Sequence, residues 1–411
     1  MSGGKQLLFF SLEDWSEIRR RNQFICMLLH DRHPDAEILW VGPAPYLVHR
    51  IKYRRPVQGN GLLPNVGPFA VPGYSRAHVL MPYKIVPNSF GRVYNLNLLL
   101  DNVRLAMRTL GWSEPTIWVN NHTIRPMLNQ LERKKLIYDV TDDWNQCTMS
   151  QRQSRMVRDD DTWLTKNADD VIVCSPGLLQ LKRDMRRTVH LVRNGVDSEF
   201  FSPQRLALLS RPPQLDSVTG PIAGYTGTLH EDRLDIPLIA DLCRNYPHIN
   251  FVFVGPNCLG ADSQRMLAAF PNCYFIGRQP YDDVPRFVAA FDVCITPHRV
   301  TAFTESLDPI KLYEYLSTGK PIVATPCAGF RDVADLVCIA ADARSFGAAI
   351  EGGLESHPAK QAQLRWASDN NWFARVKEVE SILGWDAAME PLRDGQVISA
   401  ASAVPRRAEA F

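Results

Sequence analysis

No window of the 411-residue chain holds the roughly 18 consecutive apolar residues that a membrane-spanning helix needs, which argues against an integral membrane protein. Nine cysteines are present, an odd number, and none is spaced as CxxC. A structural zinc site or a disulfide framework would need paired spacing, so free and mostly buried thiols are expected, and no metal. No GxGxxG follows the first apolar run and no P-loop occurs, which disfavours a nicotinamide enzyme and an NTPase. Nucleic-acid motifs are missing too, so no nucleic-acid partner is expected. The opening MSGGKQLLFFSLEDW meets acidic residues before any long apolar run, which speaks against a secretory signal and for a cytoplasmic chain.

One further scarcity is local. Between Glu37 and Asp101 the chain has no Asp or Glu, yet it holds Arg50, Lys52, Arg54, Arg55, Arg76, Lys84 and Arg92. This stretch is therefore +7 in a chain of net +2, which leaves −5 elsewhere. Such a segment reads as a surface for an anionic partner. Aromatic and aliphatic residues (Tyr46, Leu47, Tyr53, Leu62, Leu63, Phe69, Tyr83) interleave the basic ones. That mixture suits the anionic inner face of a membrane, with Arg50, Lys52, Arg54 and Arg55 as its densest cluster.

What is present is ordinary for a folded, two-domain protein: 45% hydrophobic and 22% charged residues. Apolar runs alternate with amphipathic stretches, the pattern of parallel α/β units. Strands are expected at 5–11, 38–41, 116–119, 136–142, 169–175 and 189–197, with a helix at 16–32. Residues 42–92 read as loops with one short strand near 78–86. A linker-like composition over 206–220 separates this first domain (1–205) from a second (221–366), with strands at 222–227, 249–255, 273–277, 292–297 and 321–326. A helix at 367–385 follows, and 386–411 read as a disordered tail. Two doubly wound, Rossmann-like domains facing across a cleft are the expected architecture, with ligands at the carboxyl ends of the strands.

The segment SLDPIKLYEYLSTGKPIVAT (306–325) carries the clearest chemistry. A loop enters a helix that feeds a buried strand, so free N–H groups at the helix start can hold an anion. Lys311 in the first turn adds a point charge suited to a diphosphate. Glu314, three residues on, lies on the same face and can accept both hydroxyls of a ribose. At another strand end, Asp142 and Asp143 offer a carboxylate that could take a proton from an acceptor hydroxyl, or could simply cap the next helix.

The same segment, with GYTGTLHEDRLDIPLI, FVFVGP, CYFIGRQPYDDVPRFVAAFDVCITPHR and VRNGVDSEFFSP, resembles the bacterial group 1 (family 4-like) glycosyltransferases of the GT-B fold. SLEDWSEIRRRNQF and YDVTDDW are similar to members that build extracellular polysaccharides. The resemblance implies a hexosyltransferase that uses a UDP- or GDP-type sugar nucleotide, without a cofactor, on a saccharide or lipid-linked saccharide. It also implies that the terminal helix crosses back to the first domain. Residue by residue, it places Gly227 and Thr228 at the turn facing the diphosphate, Arg233 as a cation near it, and Arg278 and Tyr281 at the nucleotide base. Apart from the resemblance, Trp15 and Arg21 flank the first strand–helix loop on the acceptor side of the cleft, where Trp15 could stack on a sugar and Arg21 could equally be a surface helix residue. The family's two glutamates have seven residues between them; with Glu314 as the second, the first would fall at Ser306, with Glu305 one residue out of register. The alternatives on this architecture are a sugar-nucleotide 2-epimerase and a catalytically silent binding subunit.

Overall fold

The computed structural model describes residues 4–15, 19–48, 66–146, 149–186 and 188–385. Arg50, Lys52, Arg54, Arg55 and the segment 386–411 lie outside the described residues. Two sheets organise the chain. The first holds β1 (Lys5–Phe10), β2 (Ala36–Val41), β3 (Phe69–Val71), β4 (Tyr74–Leu80), β5 (Thr116–Val119), β6 (Lys135–Val140), β7 (Asp170–Val173) and β8 (Val189–Leu191), in the order β3-β4-β2-β1-β5-β6-β7-β8. Only β3, against β4, is antiparallel. The second holds β9 (Ile222–Thr226), β10 (Asn250–Val254), β11 (Cys273–Gly277), β12 (Val293–Thr296), β13 (Ile322–Ala324) and β14 (Cys338–Ile339), in the order β11-β10-β9-β12-β13-β14. Both are doubly wound, so the expected fold class holds.

The strands are apolar on both faces because helices cover both faces of a parallel sheet. In β1, Leu8 and Phe10 pack with Val103 and Met107 on one side, while Leu7 and Phe9 pack with Ile25 and Trp40 on the other. Strand order reverses between β1 and β5, and again between β9 and β12. Ligands of such sheets bind at these reversals, beyond the carboxyl ends of the strands.

The segment 42–92 departs from its expectation. The short strand falls at Tyr74–Leu80 rather than near 78–86, and β3 pairs with it through a Pro72–Gly73 turn in which Gly73 has φ 81°. Proline at one central turn position and a glycine at the next, with positive φ, is a tight-turn signal that a search for long strands passes over. The first helix begins at Arg21. Of the described cysteines, Cys258 and Cys338 are exposed rather than buried.

The last described helix, Trp372–Leu383, packs on the first sheet's side of the molecule. Trp372, Val376, Val379 and Leu383 share a core with Leu7, Phe9 and Ile25, and Trp372 stacks on Phe24 with centroids 5.1 Å apart. Glu380 fixes its end, taking Nε of Arg32 at 2.6 Å, Nη2 of Arg32 at 2.9 Å and Nε2 of His33 at 2.8 Å. Through this helix the C-terminal end of the described chain is anchored to the first domain.

Candidate functional site: a cleft between the two sheets

Strand β9 is wholly buried and ends at Thr226. There Gly227 takes φ 134°, a conformation that L side chains rarely adopt, and a Cβ would crowd Tyr225 Oη at 3.3 Å and Lys311 Nζ at 3.4 Å. The Gly227 carbonyl in turn lies so close to Gly255, after β10, that a Cβ there would meet it at 2.1 Å. Two bare backbones thus leave open a cleft of about 240 Å³ at the strand reversal. Its lining includes Gly227, Thr228, Arg233, Tyr281, His298, Lys311 and Glu314 from the C-terminal side, and Glu13, Arg20, Arg21 and Asp142 from the N-terminal side.

The helix Ile310–Thr318 starts after Pro309 without a side-chain cap; the Leu312 N–H donates to the Pro309 carbonyl at 3.0 Å, and the N–H groups of Ile310 and Lys311 need another acceptor. Lys311 places its Nζ 5.0 Å from the Tyr225 ring centroid. Burial pulls the Lys311 ammonium down to about 7; the Arg233 charge adds to this and the Glu314 charge opposes it. Burial likewise pushes the Glu314 carboxyl up to about 7, against the pull of Lys311. Both groups are therefore held near neutrality in proton affinity, with charge states that a bound ligand can set.

Arg233 reaches across the cleft to Asp142, Nη2 to Oδ1 3.8 Å. Burial raises the Asp142 carboxyl above the usual range, opposed by Arg233, by a hydrogen bond from Thr141 and by Arg20. Asp143 does not share this position. It is absent from the cleft lining, its Oδ1 accepts the Asn145 N–H at 3.2 Å, and its own N–H donates to Ser306 Oγ at 3.3 Å. That is the capping geometry weighed as the alternative for an Asp at a strand end.

The other expected residues divide. Tyr281 lines the cleft, stacked on Phe200 at 5.2 Å and 4°. Arg21 also borders it, but its guanidinium is buried, paired with Asp139 at 3.3 Å and donating to the Val192 carbonyl at 2.8 Å and the Arg193 carbonyl at 3.0 Å. It is an internal strut rather than a free acceptor contact. Trp15 packs edge-on against Trp40 at 5.0 Å, outside the cleft lining. Arg278 is exposed beyond β11 and does not line the cleft. Ser306 is buried at the contact between the two halves, where its carbonyl accepts from Ser175 Oγ at 2.6 Å. The structure does not bring it into the cleft. Glu305 pairs with Arg331 on the surface.

Sequence reasoning assigned no role to His298, Arg20 or Glu13. His298 follows β12, at the strand reversal. It is 2% exposed, its Nε2 lies 3.3 Å from Tyr225 Oη, and its Nδ1 has no partner among the described residues. Burial, then Lys311 and Arg233, hold its pKa well below the ordinary value, so the ring is neutral. Its signal was the strand end in DVCITPH. Arg20 and Glu13 pair at 3.2 Å across the β1 loop, with no comparable pattern to mark them. Among the described residues no group of three or more His, Cys, Asp and Glu side chains could hold a metal ion, and no helix is long and apolar enough to cross a membrane.

Residues 220–356, which include β9 to β14 and the cleft's C-terminal wall, match the family model of glycosyl transferases group 1. Over that segment the chain is similar to the group 1 glycosyltransferases, and it has the GT-B fold. TuaH of Bacillus subtilis, described as a teichuronic acid biosynthesis glycosyltransferase, is 28% identical over 215 residues, covering 49% of this chain. That match spans 53% of TuaH, about half its length. Sucrose-phosphate synthase from Thermosynechococcus elongatus superposes with a TM-score of 0.68 at 15% identity, over 92% of this chain and 98% of that chain. Anabaena HepE in complex with UDP and glucose superposes with a TM-score of 0.65 at 14% identity, over 93% and 99%. At these identities the two superpositions establish the shared fold.

Proposed function

We propose that this protein is a group 1 glycosyltransferase that moves a hexosyl unit from a UDP-sugar to a saccharide or lipid-linked saccharide during cell-surface polysaccharide synthesis. One observation carries the reading: Lys311 and Glu314 leave an uncapped helix start and enter a cleft whose opposite wall presents Asp142. The helix N–H groups and Lys311 take the diphosphate, and Glu314 accepts the ribose hydroxyls. Tyr281 and the neutral His298 complete the donor's surroundings. The UDP and glucose bound by HepE support a uridine donor, and TuaH supports a polysaccharide product.

In the transfer, the acceptor hydroxyl oxygen bonds to the anomeric carbon while the bond from that carbon to the β-phosphate oxygen breaks. The electron pair leaves with the diphosphate, which Lys311 and the helix start stabilise as its charge develops. Asp142 takes the hydroxyl proton, and its raised pKa suits it to that exchange. Incubation with a panel of UDP-, GDP- and ADP-sugars, reading released nucleoside diphosphate and free sugar, tests the assignment. Acceptor-dependent release of UDP is the expected result. Conversion of the sugar nucleotide to an isomer without release would establish the epimerase in its place.

A further inference from the structure

A second, smaller hollow lies beside the cleft on the N-terminal sheet, at the ends of β1 and β2. Its space is about 50 Å³, room for roughly three or four water-sized groups, which is the size of a phosphoryl head. The floor is apolar, with Phe10, Val41, Leu96 and Leu99. Lys84 lines it, with its ammonium 5.8 Å from the Tyr46 ring centroid. Backbone bonds pin this residue, Lys84 N–H to the Pro45 carbonyl at 2.9 Å and Leu47 N–H to the Lys84 carbonyl at 2.9 Å.

Lys84 is half-buried, and no carboxylate among the described residues pairs with it; burial alone lowers its pKa. The neighbouring cation, Arg92, is by contrast already joined to Asp160. Nor can the adjoining segment supply the missing partner, because residues 38–100 contain no acid at all. A desolvated ammonium without a counter-charge costs free energy that a bound anion would recover. The same stretch carries four of the eleven large apolar side chains exposed among the described residues: Val48, Ile85, Val93 and Tyr94. Ile85 is the direct neighbour of Lys84.

The hollow is also coupled to the cleft. The Phe10 carbonyl accepts the N–H groups of Asn120 and Asn121 at 2.9 and 3.0 Å, and Asn120 Oδ1 accepts Asn22 Nδ2 at 2.9 Å. Asn22 lines the cleft. The two openings are therefore linked at the carboxyl ends of the central strands.

We propose that the Lys84 hollow seats the phosphate of an amphiphilic acceptor, a phosphate ester whose apolar chain lies over the exposed aliphatic and aromatic side chains nearby while its sugar faces the cleft. This rests on the transferase reading above. A soluble acidic saccharide would use the cation but leave the apolar surface uncovered, so the amphiphile fits more of what is there.

The test is calorimetric binding of decyl phosphate below its micelle concentration, with decanol and inorganic phosphate as the two halves of the probe, alongside UDP as a separate arm. Decyl phosphate should bind at least about tenfold more tightly than either half, and Lys84→Gln should weaken it by about ten- to a hundredfold, the range of one charge-assisted contact. Lys84→Arg should retain most of the affinity, and UDP binding should be unchanged in both variants. Equal decyl phosphate affinity in wild type and Lys84→Gln, with UDP still bound, overturns the site. Inorganic phosphate binding as tightly as decyl phosphate overturns the amphiphile and leaves a soluble anionic acceptor. Failure of the wild type to bind UDP overturns the transferase reading instead.

Discussion

The C-terminal wall of the cleft keeps Lys311 and Glu314 desolvated yet open to a ligand, whereas the N-terminal wall locks its buried arginine, Arg21, onto Asp139 and two backbone carbonyls. Both walls contain charge removed from water. They differ in whether the protein itself satisfies it. A charge already gripped on all sides is part of the scaffold, while a charge desolvated and left facing a cavity is available to a substrate. The same distinction separates Asp142, which faces the cleft, from its neighbour Asp143, whose carboxylate accepts a backbone N–H.

The sharpest way to break this contrast is to neutralise the two neighbouring carboxylates one at a time. Asp142→Asn should lower turnover by about 10²- to 10⁴-fold with little change in UDP affinity, because the lost interaction is made mainly in the transition state. Asp143→Asn should leave turnover within a few-fold of wild type. Near-normal turnover in Asp142→Asn would assign the proton to an oxygen of the departing diphosphate. Arg21→Met comes next. It leaves Asp139 buried without its counter-charge and should cost about 3–5 kcal/mol in denaturant unfolding. A loss below about 1 kcal/mol would mean that Arg21 is not a strut.

A milder perturbation is pH. Lys311 must be protonated to attract a diphosphate, and its pKa sits at about 7, so UDP affinity falls as pH rises above that point. Glu314 must be ionised to accept ribose hydroxyls, and it also titrates at about 7, so affinity falls as pH drops below it. The affinity profile should therefore be a bell centred near 7, falling at most about tenfold one pH unit away on either side. A profile flat from pH 5.5 to 8.5 would contradict the desolvated pair. The smallest effect belongs to Glu305, whose partner Arg331 lies on the surface. Glu305→Ala should cost no more than about 1 kcal/mol of stability and leave UDP affinity unchanged.

Legibility followed locality. The parallel sheets could be read because buried strands such as IAGYT and NFVFV are continuous apolar runs, and the Lys311–Glu314 pair because both residues occupy one helical turn. Gly227 is placed through the family resemblance of GYTGTL, and the structure puts it directly after strand β9. Arg21 could not be understood from its neighbours, since its partners Asp139, Val192 and Arg193 lie more than a hundred residues away. Ser306 looked like a donor contact only by register with a glutamate motif, and the fold turns it toward Ser175 and Asp143. His298 was in plain view at a strand end, but its value comes from an unpartnered ring nitrogen in a cavity, and burial of that kind has no sequence pattern. The Lys84 hollow is an intermediate case. The absence of acid around it is a sequence fact, while the pocket that makes the absence matter is tertiary.

Donor binding by the open charges of the C-terminal wall is the claim on which the rest depends, and titration calorimetry of UDP onto wild type and Lys311→Ala tests it most directly. Loss of one charge-assisted phosphate contact, about 1.5–3 kcal/mol, should weaken UDP about ten- to a hundredfold while the unfolding transition stays in place. Unchanged UDP affinity in a folded Lys311→Ala protein would contradict the account.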